Sequence, residues 1–148
     1  MFTIKRITPD QITEVVRLFD AYRIFYKMES DLEAGASFLK RRLNKGESII
    51  FAAYEEEVAV GFTQLFFTFS SVSLKESLIL NDLYVSEEHR NNAIGKRLLL
   101  KAQEYCNEND FKGLALETAI DNPAQKLYEQ LGWKKQDSCF HYFWPARG

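Results

Sequence analysis

The sequence predicts an α/β fold, built as one domain around a mixed β-sheet with helices on both faces. Its 148 residues suit a single domain. Its 46% hydrophobic and 27% charged residues are typical of a globular protein. Segments with strand and helix patterns follow each other in the order β-α-α-β-β-β-α-β-α-β-β. Because a hairpin and strand–helix–strand units occur together, we expect a sheet that is part antiparallel and part parallel.

The first half of the chain predicts a strand, two helices and a hairpin. Residues 2–7 alternate as a strand, and the Thr-Pro-Asp-Gln sequence after them is typical of a helix N-terminus. Hydrophobic residues at three- and four-residue spacing continue this helix to about Tyr26, and a similar pattern at 32–43 predicts a second helix. β-Branched and aromatic runs at 48–54 and 58–69 flank an acidic turn, which predicts an antiparallel hairpin.

The second half of the chain predicts strands that alternate with helices, the pattern of parallel strand connections. The predicted elements are a strand at 78–85, a polar loop at 86–93, a helix at 94–108, a strand at 113–119, a helix at 123–131, and strands from Trp133 onward that end with 139–144. The aromatic end of the chain is compatible with a final core strand or with the edge of a homodimer.

Charge, hydropathy and cysteine content exclude several classes of function. The formal net charge of −2 provides no positive field for nonspecific binding of nucleic acid. The apolar runs are far shorter than the roughly 18 residues of a membrane span, and the N-terminus lacks the apolar stretch of a signal peptide. We therefore expect a cytoplasmic protein without nucleic-acid or membrane partners. Cys106 and Cys139 form no ligand pattern with the two histidines, so we expect no metal site.

One strand–loop–helix connection in the second half is typical of an anion-binding site. Backbone N–H groups at 92–96 converge at the positive end of a helix. The small residues Ala93 and Gly95 allow the backbone to approach a diphosphate, and Arg90 and Lys96 add positive charge. The segment fits neither a Walker A loop nor the GxGxxG fingerprint of dinucleotide-binding folds. An ordinary strand–loop–helix connection is the alternative.

Two motifs in this half resemble those of the GNAT superfamily of N-acetyltransferases. Residues 90–95, Arg-Asn-Asn-Ala-Ile-Gly, are similar to the family's R/Q-x-x-G-x-G/A motif, with Ala93 in place of the first glycine. Residues 124–133, Ala-Gln-Lys-Leu-Tyr-Glu-Gln-Leu-Gly-Trp, are similar to its A-x-x-L-Y-E-x-x-G-F/W helix. Two motifs in the right order are more specific than either alone, and the resemblance covers essentially the whole chain.

The resemblance implies a strongly twisted mixed sheet in which two splayed parallel strands, 77–85 and 113–119, hold acetyl-CoA. The implied acetyl-CoA-binding residues are Leu83, Tyr84, Val85, Arg90, Asn91, Asn92, Ala93, Ile94, Gly95, Lys96 and Asn122. Asn122 lies six residues before Tyr128, whereas the family places its Asn seven before, so Asp121 is the alternative. An amide donates a hydrogen bond to a pantetheine carbonyl and a carboxylate does not, which favours Asn122.

The resemblance also implies direct attack of the amine on the thioester in a ternary complex. Tyr128 is then the general acid that protonates the departing thiolate, since a phenol pKa near 10 and a thiol pKa near 8.5 are close enough for the transfer. Asp82 and Glu117, on the two splayed strands, are the candidate bases or ammonium anchors. The strand at 81–85 is similar to that of polyamine acetyltransferases, which carry two acids where this chain has Asn81 and Asp82. Packing and ion pairing are the alternative roles.

Aromatic and acidic residues around the end of the first helix lie where this superfamily builds its variable acceptor pocket. Aromatic rings next to carboxylates suit a cationic amine. The candidate acceptor-binding residues are Tyr22, Phe25, Tyr26 and Glu29. The predicted function is acetyl-CoA-dependent N-acetylation of a primary amine, small and cationic. The alternatives are a protein or peptide amino group as acceptor, a noncatalytic acyl-CoA-binding module, and nucleotide binding.

Overall fold

The computed structural model describes residues 1–147. The chain divides into two compact units, Met1–Glu117 and Thr118–Gly148. The first unit contains the β-sheet and three helices, and the second contains one short helix. A single domain over residues 1–148 stays a prediction.

The sheet of the first unit has five strands in the order β1-β2-β3-β4-β5. The first four pair with their neighbours in antiparallel fashion, and β5 pairs with β4 in parallel. The strands are β1 (Phe2–Arg6), β2 (Ser48–Glu55), β3 (Val58–Ser70), β4 (Lys75–Val85) and β5 (Leu114–Ala115). The mixed α/β architecture predicted from the sequence is therefore confirmed.

Helices cover both faces of this sheet. They are α1 (Ile12–Phe25), α2 (Leu32–Asn44) and α3 (Ile94–Glu108). Successive side chains of a strand point to opposite faces, and β2 shows this clearly. Ile50 and Ala52 belong to the core cluster that contains residues of α1 and α2, whereas the Phe51 ring lies 5.8 Å from the ring of Tyr105 on α3. None of the described helices combines the length and hydrophobicity that a membrane crossing requires.

A buried carboxylate joins the end of α1 to the start of α2. Asp20 is 7% exposed, and its two oxygens accept hydrogen bonds from the Ser30 hydroxyl at 2.7 Å and the Asp31 N–H at 2.8 Å. Asp31 in turn caps α2, because its side chain accepts the N–H of Ala34 at 3.0 Å. These bonds hold the pKa of Asp20 below its ordinary value. Asp20 therefore has a structural role.

One strand of the sheet is shorter than the sequence predicts. β5 comprises only Leu114–Ala115 instead of 113–119, and its pairing with β4 ends at Ile79. An extra residue, Asn81, makes β4 irregular just beyond this point, and such a bulge bends the strand away from a straight neighbour.

The strands predicted from Trp133 onward, including 139–144, are wrong: residues 133–147 form no strand. The aromatic side chains near the end of the chain, Phe140, Tyr142, Phe143 and Trp144, are 82–89% exposed. An aromatic run becomes a strand only when another backbone pairs with it, and its composition does not supply that partner. A homodimer stays a prediction.

Candidate active site

The connection between β4 and α3 contains the segment from which the sequence predicts an anion-binding site, and we call residues 86–96 the anion loop. Ala93 directly precedes α3 in the left-handed conformation, with φ 60° and ψ 20°, and Asn91 has a φ of 68°. The first N–H groups of a helix have no partners within the helix, and they carry the positive end of its dipole. A Cβ at Gly95 would meet no atom within 4 Å. This end of α3 is therefore open to a bulky anion.

Hydrogen bonds fix the side chains of Arg90 and Asn92 in the anion loop. The Nε of Arg90 donates to the Val85 carbonyl at 3.0 Å, and its guanidinium lies 5.4 Å from the centre of the Tyr84 ring. The side-chain amide of Asn92 donates to the carbonyl of His89 at 3.1 Å. Lys96 is exposed on the first turn of α3. The structure thus brings together the loop residues that the sequence singled out, 90–96.

The carboxyl end of β4 has an edge that no strand of the described sheet covers. β3 pairs with the other edge as far as Val85, but β5 reaches only Leu78 and Ile79. Leu83, Tyr84 and Val85 are half-buried at this end. Their position next to the anion loop leaves a continuous surface of backbone groups from the strand to the helix.

A cavity of about 460 Å³ lies between α1, α2, β3 and β4, and we call it the aromatic cavity. Its aromatic lining comprises Phe19, Tyr22, Tyr26, Phe38 and Phe66. The rings are packed against one another: Phe19 and Phe38 are stacked with centroids 6.2 Å apart, and Tyr22 meets Tyr26 edge-on at 5.1 Å. The volume is that of a small-molecule site.

The polar lining of the aromatic cavity is centred on Asp82, which is 3% exposed. The amide of Gln64 donates to one carboxylate oxygen of Asp82, and the amide of Asn81 donates to the other at 2.9 Å. Burial raises the pKa of Asp82, and hydrogen bonds from Gln64, Asn81 and Tyr22 offset part of this increase. The structure therefore places the sequence-predicted carboxylate in the wall of a cavity, with its charge partly compensated by neutral donors.

The irregularity in β4 creates this arrangement. Gln64 of β3 pairs with Asp82, but the next residue pairs with Leu80, so Asn81 is the extra residue of a bulge. Its side chain can thereby contact that of the adjacent Asp82, and its backbone carbonyl accepts the Tyr22 hydroxyl at 3.2 Å. Sequence reasoning missed Gln64. The available signal was a single amide side chain inside the apolar run of β3, at a position that is 0% exposed.

Three candidate residues do not line the aromatic cavity. Phe25 is 65% exposed, and its ring contacts that of Tyr26. Lys27 takes a left-handed conformation that ends α1, and Glu29 after it contributes its backbone carbonyl, which accepts a hydrogen bond from Arg23. Glu117 is exposed beyond the end of the shortened β5. Of the acceptor and base candidates, the cavity brings together Tyr22, Tyr26 and Asp82.

The second unit contains the remaining candidates. Tyr128 lies on the short helix α4 (Gln125–Gln130) and is half-buried, with its ring centre 6.0 Å from that of Trp133. The side-chain oxygen of Asn122 accepts the N–H of Ala124 at 2.9 Å, which caps the turn before α4.

In residues 1–147, no three His, Cys, Asp or Glu side chains are grouped as metal ligands, and the absence of a metal stays a prediction.

Comparisons with known proteins find relatives that cover most of the chain. The model of the acetyltransferase (GNAT) family matches residues 13–133. The uncharacterized N-acetyltransferase YhfO of Bacillus subtilis (strain 168) is 42% identical over 140 residues, which are 94% of each chain. A probable acetyltransferase of Haemophilus influenzae is 30% identical over 80% of this chain and 90% of its own. The crystal structure of a probable acetyltransferase, 36% identical, superposes with a TM-score of 0.92 over 99% of both chains.

Proposed function

Because the chain belongs to the GNAT family of acetyltransferases, we propose that it transfers the acetyl group of acetyl-CoA to a small, cationic primary amine. Membership of the family makes the protein an acetyltransferase, and the aromatic cavity supports the choice of acceptor. The observation that carries this choice is the buried carboxylate of Asp82 in an otherwise mainly apolar wall that includes five aromatic side chains. A carboxylate surrounded by aromatic rings attracts an ammonium group and disfavours an anionic acceptor.

Binding of acetyl-CoA is assigned to the anion loop and the uncovered edge of β4. The backbone N–H groups of the first turn of α3 would hold the diphosphate, with Arg90 and Lys96 adding positive charge. The pantetheine arm would pair with the backbone at Leu83 and Val85. Asn122 would donate a side-chain N–H to a pantetheine carbonyl. The open space at Gly95 supports this assignment, because a diphosphate can approach the backbone of α3 closely there.

From a bound ammonium ion, two protons must leave the nitrogen and one must reach the sulfur, so each turnover releases one proton to solvent. The first leaves before attack, and the second leaves the nitrogen after the C–N bond forms and restores the proton that Tyr128 gives up. The bound ammonium group would be held by Asp82 and would lose a proton before its nitrogen attacks the thioester carbonyl carbon. As the C–N bond forms and the C–S bond breaks, Tyr128 would give its phenolic proton to the thiolate. Asp82, Glu117 and a water relay are the candidates for the base. The position of Asp82 in the cavity wall favours a role for it next to the amine.

The volume of the cavity, about 460 Å³, favours a small acceptor over a protein or peptide amino group. The presence of Tyr128 at the motif position argues against a noncatalytic acyl-CoA-binding module. The release of free coenzyme A thiol distinguishes these alternatives, because a peptide acceptor predicts stimulation by peptides and a noncatalytic module predicts no stimulation by any amine.

Release of free thiol from acetyl-CoA tests the proposal directly. The acceptors would be water alone, monoamines, diamines, an amino acid and a short peptide, each at several pH values. We expect release to be stimulated by cationic primary amines and to increase with pH, because the attacking amine must be neutral. Stimulation by the peptide alone would favour a protein acceptor, and no stimulation over water would contradict catalysis of amine acetylation.

A further inference from the structure

Gln64 carries an unsatisfied polar atom in the wall of the aromatic cavity. The residue is 0% exposed and lines the cavity. Its Nε2 donates to Asp82, whereas its Oε1 has no hydrogen-bond partner among the residues that the structure describes. Buried polar atoms without partners are rare in folded proteins, and they commonly indicate a missing ligand or water. Gln64 therefore borders the cavity with a hydrogen-bond acceptor that the described residues leave unpaired.

The partners of Asp82 fix the orientation of the Gln64 amide. When Asp82 is ionised, its carboxylate only accepts hydrogen bonds, and the structure has Nε2 of Gln64 as the donor to it. The reversed amide would place Oε1 against a carboxylate oxygen, and two acceptors would repel each other. The Asn81 amide occupies the second carboxylate oxygen. The arrangement therefore leaves Oε1 as an acceptor directed away from Asp82.

The remaining lining limits the charge of the occupant. Asp82 is the only carboxylate among the residues that line the cavity, and Arg23 contributes a positive charge. A second ammonium group would find no second carboxylate there and would be repelled by Arg23. The stacked rings of Phe19 and Phe38 instead offer apolar surface.

We infer that Gln64 determines acceptor specificity: its Oε1 accepts an N–H of an amine that carries a single positive charge on an aromatic or alkyl body. This inference rests on the proposed function and narrows it. The amine N–H groups fill the unsatisfied acceptor, Asp82 balances the one charge, and the apolar body packs against the rings. A linear polyamine satisfies the first two interactions and leaves its second charge next to an apolar wall.

Steady-state kinetics with 2-phenylethylamine and putrescine, at saturating acetyl-CoA, test the inference. We expect the wild type to have at least a tenfold higher kcat/KM for 2-phenylethylamine. Gln64→Met keeps the size of the side chain and removes both the acceptor Oε1 and the Nε2 donor to Asp82. It should raise the KM for 2-phenylethylamine roughly ten- to a hundredfold, as expected for a hydrogen bond from a charged group. Its kcat should change less, and its KM for acetyl-CoA should not change.

Thr63→Val is the matched control. Thr63 is the neighbouring residue of β3 and is also 0% exposed, and its hydroxyl donates to the backbone carbonyl of Asp82 at 2.8 Å. Its side chain points to the opposite face of the sheet from Gln64. Thr63→Val therefore removes a buried hydrogen bond from the same strand pair without changing the cavity, and it should leave the KM for 2-phenylethylamine unchanged.

A binding cycle makes the inference independent of turnover. Calorimetry would compare 2-phenylethylamine with its trimethylated derivative, which keeps the charge and has no N–H, using enzyme saturated with coenzyme A. The wild type should bind the primary amine at least tenfold more tightly, and Gln64→Met should reduce this ratio to the part that Asp82 contributes. The wild-type ratio remains measurable even if the variant does not fold.

The possible failures are distinguishable. If no amine stimulates thiol release from the wild type, the proposed function is wrong. Three results would overturn the role of Gln64 while the acetylation of amines stands. They are an unchanged KM of Gln64→Met for 2-phenylethylamine, a preference of the wild type for putrescine, and equal binding of the two calorimetric ligands by the wild type.

Discussion

The anion loop and the aromatic cavity are built in different ways. All members of the loop come from one continuous segment, 86–96, and the groups to which we assign ligand binding are mainly backbone N–H groups at the start of α3. The cavity is lined by residues of α1, α2, β3 and β4, and its polar groups are side chains, among them those of Tyr22, Gln64 and Asp82. The loop is a local structure, whereas the cavity exists only after four elements have packed together.

The two regions also treat charge in opposite ways. The anion loop is exposed, and it combines a helix N-terminus with the cations Arg90 and Lys96. The cavity encloses a carboxylate whose pKa is raised by burial. This difference suits two substrates of opposite charge, one a diphosphate and the other an ammonium ion. It also predicts that substitutions in one region should affect one substrate and spare the other.

The largest effect is expected outside both regions, at Tyr128. If the loop and the cavity only bind the two substrates, a third group must protonate the thiolate. Tyr128→Phe keeps the ring and removes the proton, so kcat should fall by roughly 10²–10⁴, with the affinities for both substrates nearly unchanged. Tyr105→Phe makes the same chemical change on α3, where the ring packs against Phe51, and it should leave kcat unchanged. A loss below about threefold in Tyr128→Phe would assign this residue to packing.

The sequence predicted the anion loop and most of the sheet because their signals are local. The motif at 90–95 contains its own turn, its small residues and its cations, and the hairpin of β2 and β3 follows from two strand patterns around one turn. The family resemblance then supplied the relation between this loop and acetyl-CoA. These predictions needed no knowledge of which distant residues meet.

The cavity could not be predicted in the same way, because its contacts join residues far apart in the chain. Gln64 becomes important only through the register that places it opposite Asp82 and through the bulge at Asn81. Phe25 fits the same aromatic pattern as Tyr22, yet it lies at the exposed end of α1. The strand predicted at 139–144 failed for a related reason, since pairing with a distant backbone decides whether a strand forms.

The next largest effect should come from Asp82 in the aromatic cavity. Asp82→Asn removes the negative charge with little change of shape. It should lower kcat/KM for a cationic amine roughly ten- to a hundredfold and should affect aniline, which is neutral at pH 7, much less. Asp20→Asn is the matched control, because Asp20 is a buried carboxylate outside the cavity lining. Equal losses for all amines would leave Asp82 as a base or a structural residue.

The two carboxylates should also change stability with opposite dependence on pH. The pKa of Asp82 is raised in the folded protein. Its contribution to the free energy of unfolding is therefore fully present below the ordinary Asp pKa near 3.9, and it is lost as the pH rises through the folded-state pKa. The lowered pKa of Asp20 means that its contribution is present above that value and is lost as the pH falls. Thermal unfolding of both variants against the wild type, from pH 3 to pH 8, should give differences with opposite slopes. Parallel slopes would contradict this assignment.

A smaller effect, confined to the cofactor, is expected at Gly95. An aspartate there has room for its side chain, and its negative charge stabilises the N-terminus of α3 by about 0.3–1 kcal/mol. The same charge repels a diphosphate, so Gly95→Asp should weaken acetyl-CoA binding about tenfold or more without loss of stability. Calorimetric titration would measure this. Thr13→Asp adds the same charge to the first turn of α1 and should not change the affinity, while an unchanged affinity in folded Gly95→Asp would mean that the loop is misassigned.

The smallest effect concerns the backbone of the anion loop itself. Ala93 adopts a left-handed conformation that is unfavourable for any residue with a Cβ and costs nothing for glycine. After allowance for the greater freedom of glycine in the unfolded chain, Ala93→Gly should raise the free energy of unfolding by roughly 0.5–1 kcal/mol, measured in urea with an unchanged m-value. Gly46→Ala is the reverse experiment, because Gly46 has a φ of 67° and open space around it, so it should lose about the same amount. If the loop binds acetyl-CoA through this backbone conformation, Ala93→Gly should keep the wild-type affinity within about twofold, since glycine retains the conformation. A destabilised Ala93→Gly, or one that binds acetyl-CoA much more weakly, would show that the alanine side chain itself supports the loop. The contrast between a loop that binds through its backbone and a cavity that binds through side chains would then fail at this residue.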